Sequence, residues 1–131
     1  MLNRLANLAY QQNELKLFNR IYKAAENNSN QISSQLLMFK SMLHKRMRDW
    51  PTALQIWESL IASGKDTFFA LEELAKYYEH QIKNYRQALG YTQRALNAID
   101  LLDQLDRCSQ INEEFKQRFK NRYKRLKSKL S

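Results

Sequence analysis

Apolar residues recur along this chain at intervals of three and four, the spacing that puts them on one face of an α-helix. The stripes restart after short polar breaks, so the pattern predicts consecutive helices over 2–12, 14–26, 31–47, 50–62, 66–82, 85–102 and 108–130. The breaks have a chemistry of their own. Asn27-Asn28-Ser29-Asn30 competes for backbone hydrogen bonds and reads as a loop, Ser63-Gly64 supplies a left-handed helix end, and Asp66 is placed to cap the helix that follows. Pro51 falls in a first helical turn, where a missing N–H costs little. With only that proline and two glycines, little else interrupts the helices.

The stripes also repeat. NELKLFNRIYKAA, RDWPTALQIWESL and KNYRQALGYTQRA align with Phe18, Ala53 and Ala88 in register, each 35 residues after the last. Each segment has a polar residue in second place, Glu14, Asp49 or Asn84, followed by a large apolar one, Leu15, Trp50 or Tyr85. The polar residue is placed to cap the hairpin's second helix, and the apolar one to pack the bend. Ala6, Ser41, Ala53, Ala75, Ala88 and Ala95 are small enough to let neighbouring helices approach. A lone hairpin cannot cover its own apolar face, so equal hairpins stack and bury it jointly. The expected architecture is all-α: three hairpins over 1–106 and a capping helix over 107–131 within the same domain.

Composition agrees with a globular chain. Of 131 residues, 44% are hydrophobic and 27% charged. No run is long enough for a membrane span, and polar residues break up the N-terminal stretch where a signal peptide would be apolar, so a cytoplasmic location is the expectation. The single cysteine, Cys108, has no partner for a disulfide or a metal site and reads as a small apolar filler, with a surface thiol as the alternative.

Charge changes the picture at one end. Eight cations, Lys116, Arg118, Lys120, Arg122, Lys124, Arg125, Lys127 and Lys129, follow one another in the last 16 residues without an acidic one. The other 14 basic residues nearly balance the 13 acidic ones, so almost all of the +9 charge lies in the last helix. That helix also carries an apolar stripe, Ile111, Phe115, Phe119, Tyr123, Leu126 and Leu130. Read structurally, the stripe caps the last hairpin while the charges face water. Read functionally, the cations neutralise phosphates and bind nucleic acid with little sequence preference. A membrane-surface helix or a target helix for another protein would require the stripe to be free.

A second candidate surface is the inner face made by the first helices of stacked hairpins. Tyr10 and Gln11, Lys45 and Arg46, and Glu72, Lys76, Glu79 and His80 fall there; Tyr10, Lys45, Arg46, Lys76 and His80 are the candidate peptide-binding residues, Lys45, Arg46 and Lys76 suiting an acidic peptide or a C-terminal carboxylate, with a solvated helix face as the structural alternative. Glu79 and His80 are adjacent and diverge on a helix, and the sequence supports no nucleophile–base set, metal-ligand spacing or cofactor motif. No catalytic or metal-binding residue is assigned. Leftover apolar surface on an end hairpin could serve a homodimer.

LAKYYEHQIKNYRQALGYTQRAL resembles a tetratricopeptide-type repeat, through Leu74, Ala75, Tyr78, Asn84-Tyr85, Ala88 and Ala95. It departs by one extra residue before Asn84 and by Thr92 in place of an aromatic, and Lys40 stands where leucine is expected in the preceding repeat. The resemblance covers about residues 1–100 and implies a solenoid scaffold that binds protein partners. DWPTALQIWESL, LEELAKYYEHQIKNYRQAL and FKQRFKNRYKRLKSKL together are similar to the C-terminal helical-repeat region of bacterial ribonuclease-H-like exonucleases. That likeness implies an accessory or detached region without nuclease activity of its own, and a nucleic-acid role for the basic helix as the alternative function.

Overall fold

The computed structural model describes Lys16, Arg20, residues 34–105 and residues 113–131. Apart from Lys16 and Arg20, the expected first hairpin, with Tyr10 and Glu14, lies outside the described residues, as do Cys108 and Ile111. Among the described residues all regular structure is helical: α1 (Ser34–Arg46), α2 (Trp50–Ser63), α3 (Thr67–Lys76) running on as a π-helix (Tyr77–Ile82), α4 (Tyr85–Gln104) and α5 (Glu113–Leu130). The chain divides into two compact units, Met1–Asp66 and Thr67–Ser131.

In the first unit α1 and α2 pack as a hairpin. α1 ends because Arg48 turns left-handed (φ 59°), so that its N–H donates to the Lys45 carbonyl at 2.9 Å and the next N–H, of Asp49, to that of His44 at 2.8 Å. Asp49 precedes α2 without closing a side-chain cap; its carboxylate instead contacts His44 Nδ1 at 2.9 Å. Thr52, and then His44, hold that carboxyl below its usual pKa against the opposing effect of burial. Ser41, Leu43, Ala53, Ile56, Trp57 and Leu60 are buried. Gly64 (φ 73°) terminates α2 as its lack of a Cβ permits. Asp66 is itself left-handed (φ 51°) rather than in the extended conformation usual for an N-cap.

The second unit repeats the hairpin with a local difference. The extra residue that sets this repeat apart from the tetratricopeptide pattern lies where the helix widens to a π-helix over Tyr77–Ile82, the usual accommodation of an insertion inside a helix. The turn then closes over a longer span: the N–H groups of left-handed Lys83 (φ 60°) and of Asn84 both reach the Tyr78 carbonyl, the second at 2.8 Å. Asn84 does cap α4, its Oδ1 accepting from the Gln87 N–H at 3.2 Å. Thr92, buried where an aromatic was expected, satisfies its hydroxyl on the Ala88 carbonyl at 2.9 Å. Of the six small residues expected at close approaches, the five described, Ser41, Ala53, Ala75, Ala88 and Ala95, all have 0% exposure.

Arg48 and Lys83 are 35 residues apart, and each holds a conformation that costs a residue with a Cβ about 1–2 kcal/mol. Glycine removes that cost but gives back part of it through the unfolded chain's entropy. Arg48→Gly and Lys83→Gly are each expected to stabilise by about 0.5–1 kcal/mol, read as a higher urea midpoint at unchanged slope. A lower midpoint for both would overturn this account of the turns.

Candidate functional site

α5 begins on Glu113 and Glu114 and ends on Lys127 and Lys129, the charge order that complements a helix dipole. It packs along α4, burying Phe119 and Leu126, with the Phe119 ring 6.5 Å from Phe68 and 6.1 Å from Phe115 between centroids. The buried line is rotated from the expected one: Tyr123 is half-buried, whereas its neighbour Arg122 is buried.

The rotation sorts seven of the eight cations into two stripes. Arg118, Arg122, Arg125 and Lys129 recur at four, three and four residues and face Glu72 on α3 and Glu79 in the π-helix. Arg118 donates from Nε to Glu72 Oε2 at 2.7 Å and from Nη2 to Oε1 at 3.2 Å. Arg125 forks onto Glu79 in the same way, Nε to Oε2 at 2.6 Å and Nη2 to Oε1 at 2.8 Å. Between them Arg122 donates from Nε to Glu79 Oε1 at 3.1 Å and brings Nη1 to 3.9 Å from Glu72. Lys129 Nζ lies 3.5 Å from Glu79 Oε2 and 4.7 Å from the centre of the Tyr85 ring, the aromatic of the repeated turn. The match is one of spacing. The carboxylates are seven residues apart, the two forked arginines are seven apart, and each fork spans 46 residues of sequence.

Glu79 is the centre of this arrangement at 2% exposure. Burial alone would raise its pKa, but the hydrogen bonds from Arg125 and Arg122 outweigh it and hold the carboxyl down at about 2. The same contacts raise Arg125 and, through Glu72, Arg118. Lys116 is also engaged, donating to Asp103 on α4 at 3.2 Å and to Glu113 at 3.3 Å, and chiefly the Asp103 bond raises its pKa against burial.

Lys120, Lys124 and Lys127 form the other stripe, at four and three residues. All are exposed, and among the described residues no ion pair or hydrogen bond reaches Lys120 or Lys124, while Lys127 Nζ sits 5.8 Å over the Tyr123 ring. The expectation that the whole basic face looks onto water is therefore corrected: five of its eight cations neutralise carboxylates of their own unit.

The inner-face candidates fall in both units. Lys45 and Arg46 close α1 in the first unit, and Tyr10 lies outside the described residues. In the second unit Lys76 bonds Glu73 at 3.4 Å. Glu79 is turned into the arginine cluster, not out to a ligand face, and His80 stays on the surface with 56% of its side chain exposed. The two side chains do not wholly diverge: His80 Nε2 comes within 3.6 Å of Glu79 Oε1, because a π-turn advances less per residue than an α-turn.

Sequence reasoning missed Glu72 and Glu79 as the docking partners of the basic helix. Their signal was present as two carboxylates seven apart on a helix otherwise rich in apolar residues, matched by Arg118 and Arg125 at the same interval.

No protein-family model, curated protein or solved structure matches this chain. The tetratricopeptide and nuclease-associated likenesses accordingly rest on the residues quoted for them.

Proposed function

We propose that this chain is a non-catalytic, tetratricopeptide-like repeat module that binds a protein or peptide partner on a helical face. The observation that carries the reading is the repeated turn. A left-handed residue, a polar residue and an aromatic, Arg48-Asp49-Trp50 and Lys83-Asn84-Tyr85, stand 35 residues apart and open α2 and α4 alike. Repetition of a hairpin at fixed period is how solenoids extend a binding surface, and the residues proposed to meet a ligand are Lys45 and Arg46 in the first unit and Lys76 and His80 in the second.

The alternative is nucleic-acid binding through the terminal helix, as an accessory region of a ribonuclease-H-like exonuclease. It is supported by the outward stripe Lys120, Lys124 and Lys127, and weakened by the arginines' engagement with Glu72 and Glu79. A membrane role finds less support, because Phe119 and Leu126 are buried against their own unit. No helix among the described residues is long and apolar enough to cross a membrane.

Fluorescence anisotropy with labelled peptides and with single- and double-stranded DNA and RNA, at several salt concentrations, separates the two. The module reading expects acidic peptides to bind better than neutral ones and the double variant Lys45→Glu with Arg46→Glu to weaken them. Binding confined to nucleic acid, falling steeply with salt and lost on Lys120→Glu with Lys124→Glu, would replace it with the alternative.

A further inference from the structure

A cleft of about 650 Å³ opens between α4 and the last two turns of α5. Its floor is apolar, from Leu89 and the Tyr123 ring, and its rim carries Lys124, Lys127 and Ser128, with Leu130 at 40% exposure beside them. Lys127 lies over the Tyr123 ring, so the ammonium is held at the cleft mouth by a side chain of the cleft itself. These lysines are the ones α5 does not spend on Glu72 and Glu79. The same α4–α5 seam continues toward the start of α5 as a second hollow of about 360 Å³, where Asp100, Asp103 and Glu113 stand together with Lys116 and Lys120.

We propose that this cleft is a docking site for a short acidic peptide segment with apolar side chains, as in a run alternating glutamate or aspartate with leucine. Carboxylates meet Lys124 and Lys127, and the apolar side chains settle on Leu89, Tyr123 and Leu130. Charge complementarity and the apolar floor argue for the peptide over a nucleic acid. The outward lysine stripe spans only seven residues, about 10 Å of helix, so it can follow no more than a few phosphates. An apolar floor also offers a phosphate backbone nothing, whereas a peptide uses both floor and rim. The assignment rests on the module reading and adds to it a second face, distinct from the one around Lys45 and Arg46.

The test is anisotropy titration of the intact chain with a short fluorescein-labelled peptide of alternating glutamate and leucine. Its glutamine-for-glutamate counterpart, a single-stranded oligonucleotide of equal charge and anionic phospholipid vesicles serve as comparisons. Expected are affinity for the acidic peptide at least roughly tenfold above the glutamine version, and a loss of similar size in Lys124→Glu with Lys127→Glu. Both positions are exposed, and circular dichroism and thermal melts of that variant should match the parent. Lys45→Glu with Arg46→Glu is titrated alongside, to tell binding at the cleft from binding around Lys45 and Arg46. Equal affinity for the two peptides, indifference to the Lys124 and Lys127 reversals, or tighter binding of oligonucleotide or vesicles through those same lysines would each overturn the cleft. Loss confined to the Lys45 and Arg46 variant would overturn the cleft while leaving the module reading in place. Absence of binding to every peptide would overturn both.

Discussion

Glu79→Gln lowers the unfolding free energy of the second unit by about 3 kcal/mol at neutral pH, at the low end of what removing one partner of a buried ion pair costs. The low end is expected because the partners differ. Arg125 and Lys129, at about four-tenths exposed, can swing their charge into water, but Arg122 cannot, and its buried Nη1 already lacks a hydrogen bond. The loss therefore comes mainly from one stranded guanidinium. The pH dependence follows from the same carboxylate. Its folded-state pKa, about 2, lies below the ordinary 4.5, so its contribution is fully present above the ordinary value and fades as pH falls toward 2. At 1.36 kcal/mol per unit, that is again about 3 kcal/mol. Urea titrations followed by circular dichroism at pH 7, 4 and 2.5 should show the parent losing this amount on acidification and Glu79→Gln losing much less. Parallel acid losses in the two proteins would sink the assignment of Glu79 as the main acid-sensitive contact.

Phe119→Ala is expected to cost about 3–5 kcal/mol, the range for emptying a fully buried aromatic site. Phe119 has no exposed surface and lies between Phe68 and Phe115, so its removal takes the apolar anchor from under α5. The ion pairs depend on that anchor, since Arg118, Arg122 and Arg125 reach Glu72 and Glu79 only while α5 is docked. Hydrogen exchange should then show α5 amides losing protection before those of α4. Tyr123→Ala makes the informative contrast. A stripe centred on Phe119, Tyr123 and Leu126 predicts similar costs at 119 and 123, but the observed register leaves Tyr123 half-buried and predicts a loss of only about 1–2 kcal/mol. Equal costs would mean that α5 sits in the register its sequence pattern suggested.

Helix positions within the described residues were legible to within a few residues. Hairpin turns at Asp49 and Asn84 and the left-handed end at Gly64 stand where the pattern put them. Each of these is set within a span of a few residues. The capping roles were less uniform, since Asn84 caps its helix through its side chain while Asp49 turns to His44 instead. Asp66 adopts a left-handed backbone that a preference for capping residues does not foresee. The extra residue before Asn84 was visible as a departure from the repeat, yet its form, a π-turn that lets His80 approach Glu79, was not.

The candidate sites were legible as residues and not as surfaces. Eight cations in a row read as one basic face, and Glu72, Lys76, Glu79 and His80 read as one inner face. Neither reading could know which charges would meet one another.

The sequence by itself determined that the described parts of this protein are all-helical, where each helix turns, and which small residues are buried. Periodicity, propensity and turn chemistry act over a few residues and leave their mark in order along the chain. Only the tertiary structure decided that Glu79 is buried, that the arginines of the terminal helix are consumed by it and by Glu72, and that Lys120, Lys124 and Lys127 remain outward. Those outcomes depend on the rotation of α5 about its axis, which is set by how Phe119 and Leu126 fit against their own unit. Opposite charges 43 to 46 residues apart then pair because that fit places them within reach.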